Sequence, residues 1–139
     1  MRYLLDTCVI SELAKRAPNK KVIAWVTQHH EEDFCLSALT FGELHKGISK
    51  LSPSKRKESL QQWLESELKE RFENRIIDID LKVAKVWGEI QGQAAQKGRP
   101  LPAIDSLIAA TGLAHDFIVV TSNISDMKES GVSLFNPWE

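Results

Sequence analysis

Short runs rich in Leu, Ile and Val alternate with helix-period segments along this chain, and this alternation constrains its fold most. Arg2 to Leu5, Asp33 to Ser37, Arg75 to Ile79 and Phe117 to Val120 read as strands, and Ser133 to Phe135 as an edge strand before Pro137. The segments between them carry apolar residues three and four positions apart. Ile10, Leu13 and Ala14 mark a helix stopping before Pro18, and Val22, Trp25, Val26 and His29 mark a second over Lys21 to His30. Phe41, Leu44, Ile48 and Leu51 give a third, ending at Ser52-Pro53-Ser54. Leu60, Trp63, Leu64, Leu68 and Phe72 give one longer helix that forms a hairpin with the third. Asp80 caps a helix carrying Val83, Trp87, Ile90 and Ala94, which Gly98 closes, and a last helix runs over Ala103 to Ala114. Repeats, linkers and low-complexity tracts are absent from the 139 residues. The expectation is one domain, residues 1–139, of the α/β class: a three-layer α/β/α sandwich with a mostly parallel central sheet.

Composition narrows the function classes. Eighteen Lys and Arg against 19 Asp and Glu leave a net charge of −1, which excludes a histone-like basic cloak and an acidic disordered tail. A local basic strip remains compatible with a nucleic-acid substrate. No apolar run approaches the ~18 residues of a membrane helix, and Asp6 interrupts the stretch a signal peptide would continue. Cys8 and Cys35 form no C-x-x-C pair and sit among apolar neighbours, so both read as reduced thiols of a cytoplasmic protein.

In an open parallel sheet, ligands bind beyond the carboxyl ends of the strands. Asp6 follows the first strand there. Glu43 falls in the first turn of the helix after the second strand, and Asp105 in the first turn after the Pro-rich loop. Asn123 and Asp126 follow Thr121 and Ser122, past the most apolar strand. Each has a purely structural reading. Asp6 or Thr7 caps the first helix, Thr40-Phe41-Gly42-Glu43 fits a capping box, Asp105 complements a helix dipole and Asn123 caps a short turn. As a set, acids crowded on one rim raise each other's pKa, and a divalent cation relieves the repulsion. All-oxygen ligands suit Mg²⁺ or Mn²⁺ rather than zinc, and such a site suits phosphodiester hydrolysis.

Lys46 and Lys50 share a helical face with Glu43, and Lys55, Arg56 and Lys57 extend the positive stretch. This reads equally as a strip for a polynucleotide backbone or as a solvated face. His29-His30-Glu31-Glu32-Asp33 reads as a surface helix end, and Trp25, Trp63 and Trp87 as core. Asp105, Ala109 and Gly112 share a face whose small residues let that helix approach the sheet.

Four blocks together resemble the PIN-domain ribonucleases, specifically VapC-type toxins and their FitB-like relatives. They are Leu4-Leu5-Asp6-Thr7-Cys8-Val9-Ile10-Ser11-Glu12-Leu13, Ser37-Ala38-Leu39-Thr40-Phe41-Gly42-Glu43-Leu44, Pro102-Ala103-Ile104-Asp105-Ser106-Leu107-Ile108-Ala109-Ala110, and Val119-Val120-Thr121-Ser122-Asn123-Ile124-Ser125-Asp126. Gly131 and Asn136-Pro137-Trp138 complete the pattern. The resemblance implies a PIN-like fold and a Mg²⁺- or Mn²⁺-dependent endoribonuclease, the toxin of a type II toxin–antitoxin pair. It would cut RNA, with tRNA one candidate, leaving a 3′-hydroxyl and a 5′-phosphate. Asp6, Glu43 and Asp105 carry over as metal-binding acids, with Thr7 and Thr121 lining the site. The implied partners are RNA, held by Lys46 and Lys50, a small DNA-binding antitoxin docked in an apolar groove around the hairpin and first helices, and a second copy in a homodimer.

Two positions depart from the family pattern. Asn123 stands where many relatives carry a fourth acid, with Asp126 one turn on, so the number of metals is open. Cys8 stands where asparagine is common. The alternatives are a non-catalytic RNA- or protein-binding module impaired at Asn123, and a phosphatase or transferase on the same metal site. The lack of a Gly-rich phosphate loop weighs against the latter.

Overall fold

The computed structural model describes residues 1–139. Five strands form one sheet in the order β3-β2-β1-β4-β5. These are β1 (Tyr3–Leu5), β2 (Phe34–Ser37), β3 (Ile76–Ile77), β4 (Ile118–Val120) and β5 (Leu134–Phe135). Every pairing is parallel, which sharpens the mostly parallel expectation. In the centre, β1 pairs Leu4 with Cys35 on one side and with Val119 on the other.

Side-chain alternation along these strands builds the three layers. Leu5, Phe34, Leu36 and Val120 point to one face, covered by α1 (Thr7–Leu13), α2 (Lys20–Thr27), α3 (Ala38–Ser49) and the helical hairpin arm. Leu4, Cys35 and Val119 point to the other, where α7 (Ala103–His115) lays Ile108 and Ala109 on the sheet. Behind it, α6 (Leu81–Gln96) packs Val83 and Ile90 against Ala110 and Ala114. An added Cβ at Gly112 would lie 2.7 Å from Val119 and 2.9 Å from Val132, so the expected close approach of α7 is real and requires glycine.

Local signals act largely as read. Asp80 Oδ1 accepts from Val83 N at 2.9 Å, Asn19 accepts from Lys21 N and Val22 N, and Gly98 adopts φ +67° after α6. Five expectations need correction. The second helix ends at Thr27, and Asp33 belongs to a 3₁₀ turn over Glu31–Asp33. The third strand shrinks to Ile76–Ile77, because the chain leaves the sheet edge to place Asp80 as a cap. The long helix is α4 (Lys55–Gln62), a π-helical stretch Trp63–Leu68, and α5 (Lys69–Arg71). The wider π turns still bury Leu64 and Leu68, so the apolar spacing did not reveal them. Neither thiol sits in a purely apolar setting: Cys35 Sγ accepts from Arg2 at 2.9 Å, and Cys8 faces the rim described next. No helix is long and apolar enough to cross a membrane.

The His29 tract carries no metal-binding arrangement. His29 Nδ1 lies 2.6 Å from Trp25 O, and Glu31 pairs with Arg71 at 2.9 Å and Arg75 at 3.0 Å.

Candidate active site

The carboxyl ends of β1, β2 and β4 open on one rim, and the chain leaves each strand through a polar residue. Asp6 N continues the ladder by donating to Val120 O, which fixes the Asp6 backbone beside β4. Its carboxylate is 3% exposed. Oδ1 accepts from Thr7 N at 2.8 Å, and Oδ2 accepts from the Thr121 hydroxyl at 2.7 Å. The structural reading of Asp6 as a cap therefore holds, and the same side chain also stands in the site. Burial is the main cause that pushes its carboxyl above the ordinary range, with the Glu43 charge adding to it against the bonds from Thr121 and Thr7.

Helix α3 starts at Ala38, with Ser37 Oγ accepting from Leu39 N at 3.1 Å. Glu43 thus lies in the second turn rather than the first, and the capping box with Thr40 does not form. Glu43 Oε1 instead accepts from the Thr7 hydroxyl at 2.6 Å, and Thr40 Oγ1 lies 3.3 Å from the same hydroxyl. Thr7 and Thr121, expected to line the site, each donate a hydroxyl hydrogen bond to one of the acids.

Asp105 is in the first turn of α7, as expected. Its carboxyl is pushed up to about 6, first by burial, then by the charges of Asp6, Asp126 and Glu43. Asp126, exposed on α8 (Ile124–Met127), is thereby within the electrostatic reach of the other acids. Asn123 occupies the cap position of α8 without making a side-chain capping bond. Its backbone N–H donates to Thr121 Oγ1 at 2.9 Å, so Thr121 bonds Asp6 and the Asn123 turn at once. Cys8 Sγ lies 3.8 Å from Asp6 Oδ2, 3.6 Å from Thr121 Oγ1 and 3.6 Å from Ser122 Oγ.

Asp105 is placed by residues that sequence reasoning passed over. Ser106 Oγ accepts from Trp87 Nε1 at 3.0 Å and from Gln91 Nε2 at 2.9 Å, and donates to Ala103 O at 2.9 Å. Gln91 also bonds Leu101 on both backbone groups, so α6 clamps the Pro-rich loop and the first turn of α7. Trp87 is half-buried and anchors this network through its N–H, a role that a core assignment did not anticipate. Only the polar Gln91 on the otherwise apolar α6 face hinted at it.

The basic strip is divided. Lys46 is exposed on α3 and Lys50 is exposed at its C-cap. Lys57 Nζ instead donates to Leu51 O at 2.9 Å, tying off the end of α3, and Arg56 lines an apolar cleft with Leu44, Ile48, Leu60 and Trp63.

The four acids are coupled by charge but are not gathered into a closed cage of three or more metal-ligating side chains. Their donor set is all oxygen, and no hydrogen bond lowers the Asp105 carboxyl. This chemistry fits a hard divalent cation, which would offset the mutual repulsion.

The plan of the rim is thus a buried acid following a central parallel strand, with further acids from the helices α3, α7 and α8 beside it. Residues 3–129 match the PIN domain model, and the chain belongs to the PIN domain family. Within that family it is of the VapC and FitB type. It is 38% identical over 135 residues to the toxin FitB of Neisseria gonorrhoeae, covering 97% of each chain. It is 36% identical over 136 residues to a VapC ribonuclease of Sinorhizobium fredii, covering 98% of this chain and 97% of that one. The solved structure of FitAcB from Neisseria gonorrhoeae superposes with a TM-score of 0.92 at 37% identity, covering 99% of both chains.

Proposed function

We propose that this protein is a divalent-metal-dependent endoribonuclease that acts as the toxin of a toxin–antitoxin pair. The observation carrying this reading is the convergence of Asp6, Glu43 and Asp126, from three other segments, on Asp105, whose carboxyl is pushed up to about 6 first by burial and then by those three charges. A cap or a solvated surface acid gives no reason for such convergence. The printed names of the relatives, a VapC ribonuclease and the toxin FitB, support the same class. A relative from Shigella flexneri, 24% identical, is named a tRNA(fMet)-specific endonuclease, which makes tRNA the first substrate to try.

Asp6, Glu43 and Asp105 would hold Mg²⁺ or Mn²⁺, with Asp126 and the Asn123 amide at the edge. When bound, the cation orients and activates a water and neutralises charge on the scissile phosphate. The chain's own residues do the rest. Thr121 and Thr7 keep the Asp6 and Glu43 carboxylates turned into the cleft. Lys46 and Lys50 hold the polynucleotide backbone leading from Glu43 along α3.

FitAB has been solved bound to a DNA fragment, and a toxin–antitoxin complex from Klebsiella pneumoniae shares the fold with a TM-score of 0.70. An antitoxin segment would occupy the apolar groove of about 160 Å³ formed by Ile10, Leu13 and Ala14 of α1 with Trp63, Leu68 and Arg71. The π-helical stretch supplies Trp63 and Leu68 to it. A second copy of the chain completes the proposed assembly as a homodimer.

The test is cleavage of total tRNA and ribosomal RNA by antitoxin-free protein with Mg²⁺, Mn²⁺ or EDTA, beside Asp105→Asn. Discrete products that need metal and vanish in the variant are expected. Equal inertness of two folded proteins would return the chain to a binding role.

A further inference from the structure

We propose that a cleft beside the acids, between α3 and the start of α7, receives one unpaired base next to the scissile phosphate, and that its size selects the nucleotide. The proposal rests on the ribonuclease reading and deepens it. The cleft is open to solvent on one side, holds about 250 Å³ and is lined by Leu39, Gly42, Glu43, Lys46 and Ile104. Glu43 is the one acid of the site that lines the cleft, so the two share a wall, and Ile104 on the other wall immediately precedes Asp105 in the chain.

Size and chemistry both favour a base. Sites for drug-sized ligands run from roughly 300 Å³ upward, so this volume suits one ring system rather than a dinucleotide. Leu39 and Ile104 offer aliphatic surface from two different helices, and Ile104 is 36% exposed. A base has an apolar face to lay against them. Lys46 stands one helical turn beyond Gly42, where its ammonium can meet the attached phosphate. No amide, hydroxyl or aromatic side chain lines the cleft. Its apolar walls, Leu39 and Ile104, therefore discriminate by shape, and Glu43 and Lys46 are the only side chains lining it that can bond a base edge.

Gly42 accounts for the space. It lies inside α3, where glycine weakens a helix, and its φ is not in the left-handed region. A Cβ added there would meet nothing within 4 Å. Neither backbone conformation nor packing calls for glycine at this position, and the missing side chain leaves the cleft open. An apolar cleft would also suit a second copy of the chain, but its continuity with Glu43 and the cation on its rim match a nucleotide better.

The experiment compares wild type, Gly42→Leu and Ile104→Ala on a randomised single-stranded RNA pool with Mn²⁺, sequencing the product ends. Gly42→Leu suits a helix and enters open space, so it should fold. Its Mn²⁺-induced thermal shift should match wild type, because the acids are untouched. The expected result is that Gly42→Leu disfavours a purine at one position flanking the cut by on the order of tenfold, through KM, while Ile104→Ala relaxes the preference. An unchanged cleavage profile in both variants, with wild type active, would overturn the cleft and leave the nuclease standing. A changed sedimentation coefficient for Gly42→Leu, with an unchanged profile, would make it a contact between copies and overturn it equally. If wild type neither cuts nor binds the pool in Mn²⁺, the nuclease reading itself falls and the cleft with it.

Discussion

The Thr7 hydroxyl donates to Glu43 Oε1 across 2.6 Å, so the first residue of α1 holds an acid that α3 carries. Thr121 does the same for Asp6 from the end of β4. Two threonines thus orient two acids, and each bond joins segments far apart in sequence.

Replacing either threonine by valine keeps the shape and removes the donor. Thr121→Val leaves the buried Asp6 Oδ2 and the part-buried Asn123 N–H without their partner, and should cost about 2 kcal/mol in urea unfolding. Thr7→Val should cost nearer ~1 kcal/mol, and raise the Mn²⁺ concentration needed for half-maximal cleavage by on the order of tenfold. Equal stability of wild type and Thr121→Val would show that the Asp6 bond is not formed.

Asp105 makes stability depend on pH. Its folded pKa of about 6 lies above the ordinary 3.8, so the native state holds this proton more tightly than the unfolded chain does. The group therefore lowers stability progressively as pH rises from about 4 to about 6, and by a constant amount above that. Asp105→Asn removes the penalty. The variant should unfold at higher urea than wild type near pH 8, by about 1 kcal/mol after allowing for solvent screening, and the gap should close below pH ~4. Its cleavage rate should fall by more than the roughly 100-fold typical of losing an outer-shell metal contact.

Ser106→Ala removes the shared acceptor of Trp87 and Gln91. Two donors lose a buried partner, so thermal unfolding should register a loss of about 2 kcal/mol. The first turn of α7 loosens with them, and metal affinity should fall although no acid is altered. Undiminished metal affinity would confine Ser106 to a stability role.

The two helix glycines should respond in opposite directions. Gly112→Ala drives a methyl group into Val119 and Val132 and should destabilise by about 1–3 kcal/mol. Gly42→Ala meets open space and should stabilise by up to about 1 kcal/mol. Denaturant midpoints of the two variants decide the matter.

Apolar spacing made the helices and strands legible because burial on one face imposes it directly. Asp6, Glu43 and Asp105 could be picked out because a parallel sheet presents its strand ends to ligands. What the spacing could not carry were contacts between distant segments. Glu43 was readable as an acid near the rim, yet its capping-box reading failed because Ser37 already starts the helix. Ser106 and Gln91 carried no periodic signal, since their value lies in meeting each other. Cys8 looked apolar beside Val9 and Ile10, but its helix turns it toward Asp6 and Thr121. The π turns at Trp63–Leu68 left the buried positions apolar and so left no mark.

The position of β1 between β2 and β4 has a consequence for synthesis. Asp6 is made well before its hydrogen-bond partner Thr121, which lies 115 residues later in the chain, and before the strand that seats it. Until then β1 has an open edge and Asp6 lacks the hydroxyl that orients it. Asp105 likewise needs β4 beneath its helix. A nascent chain that stops short of Thr121 therefore carries the acids without the bond that seats Asp6 among them.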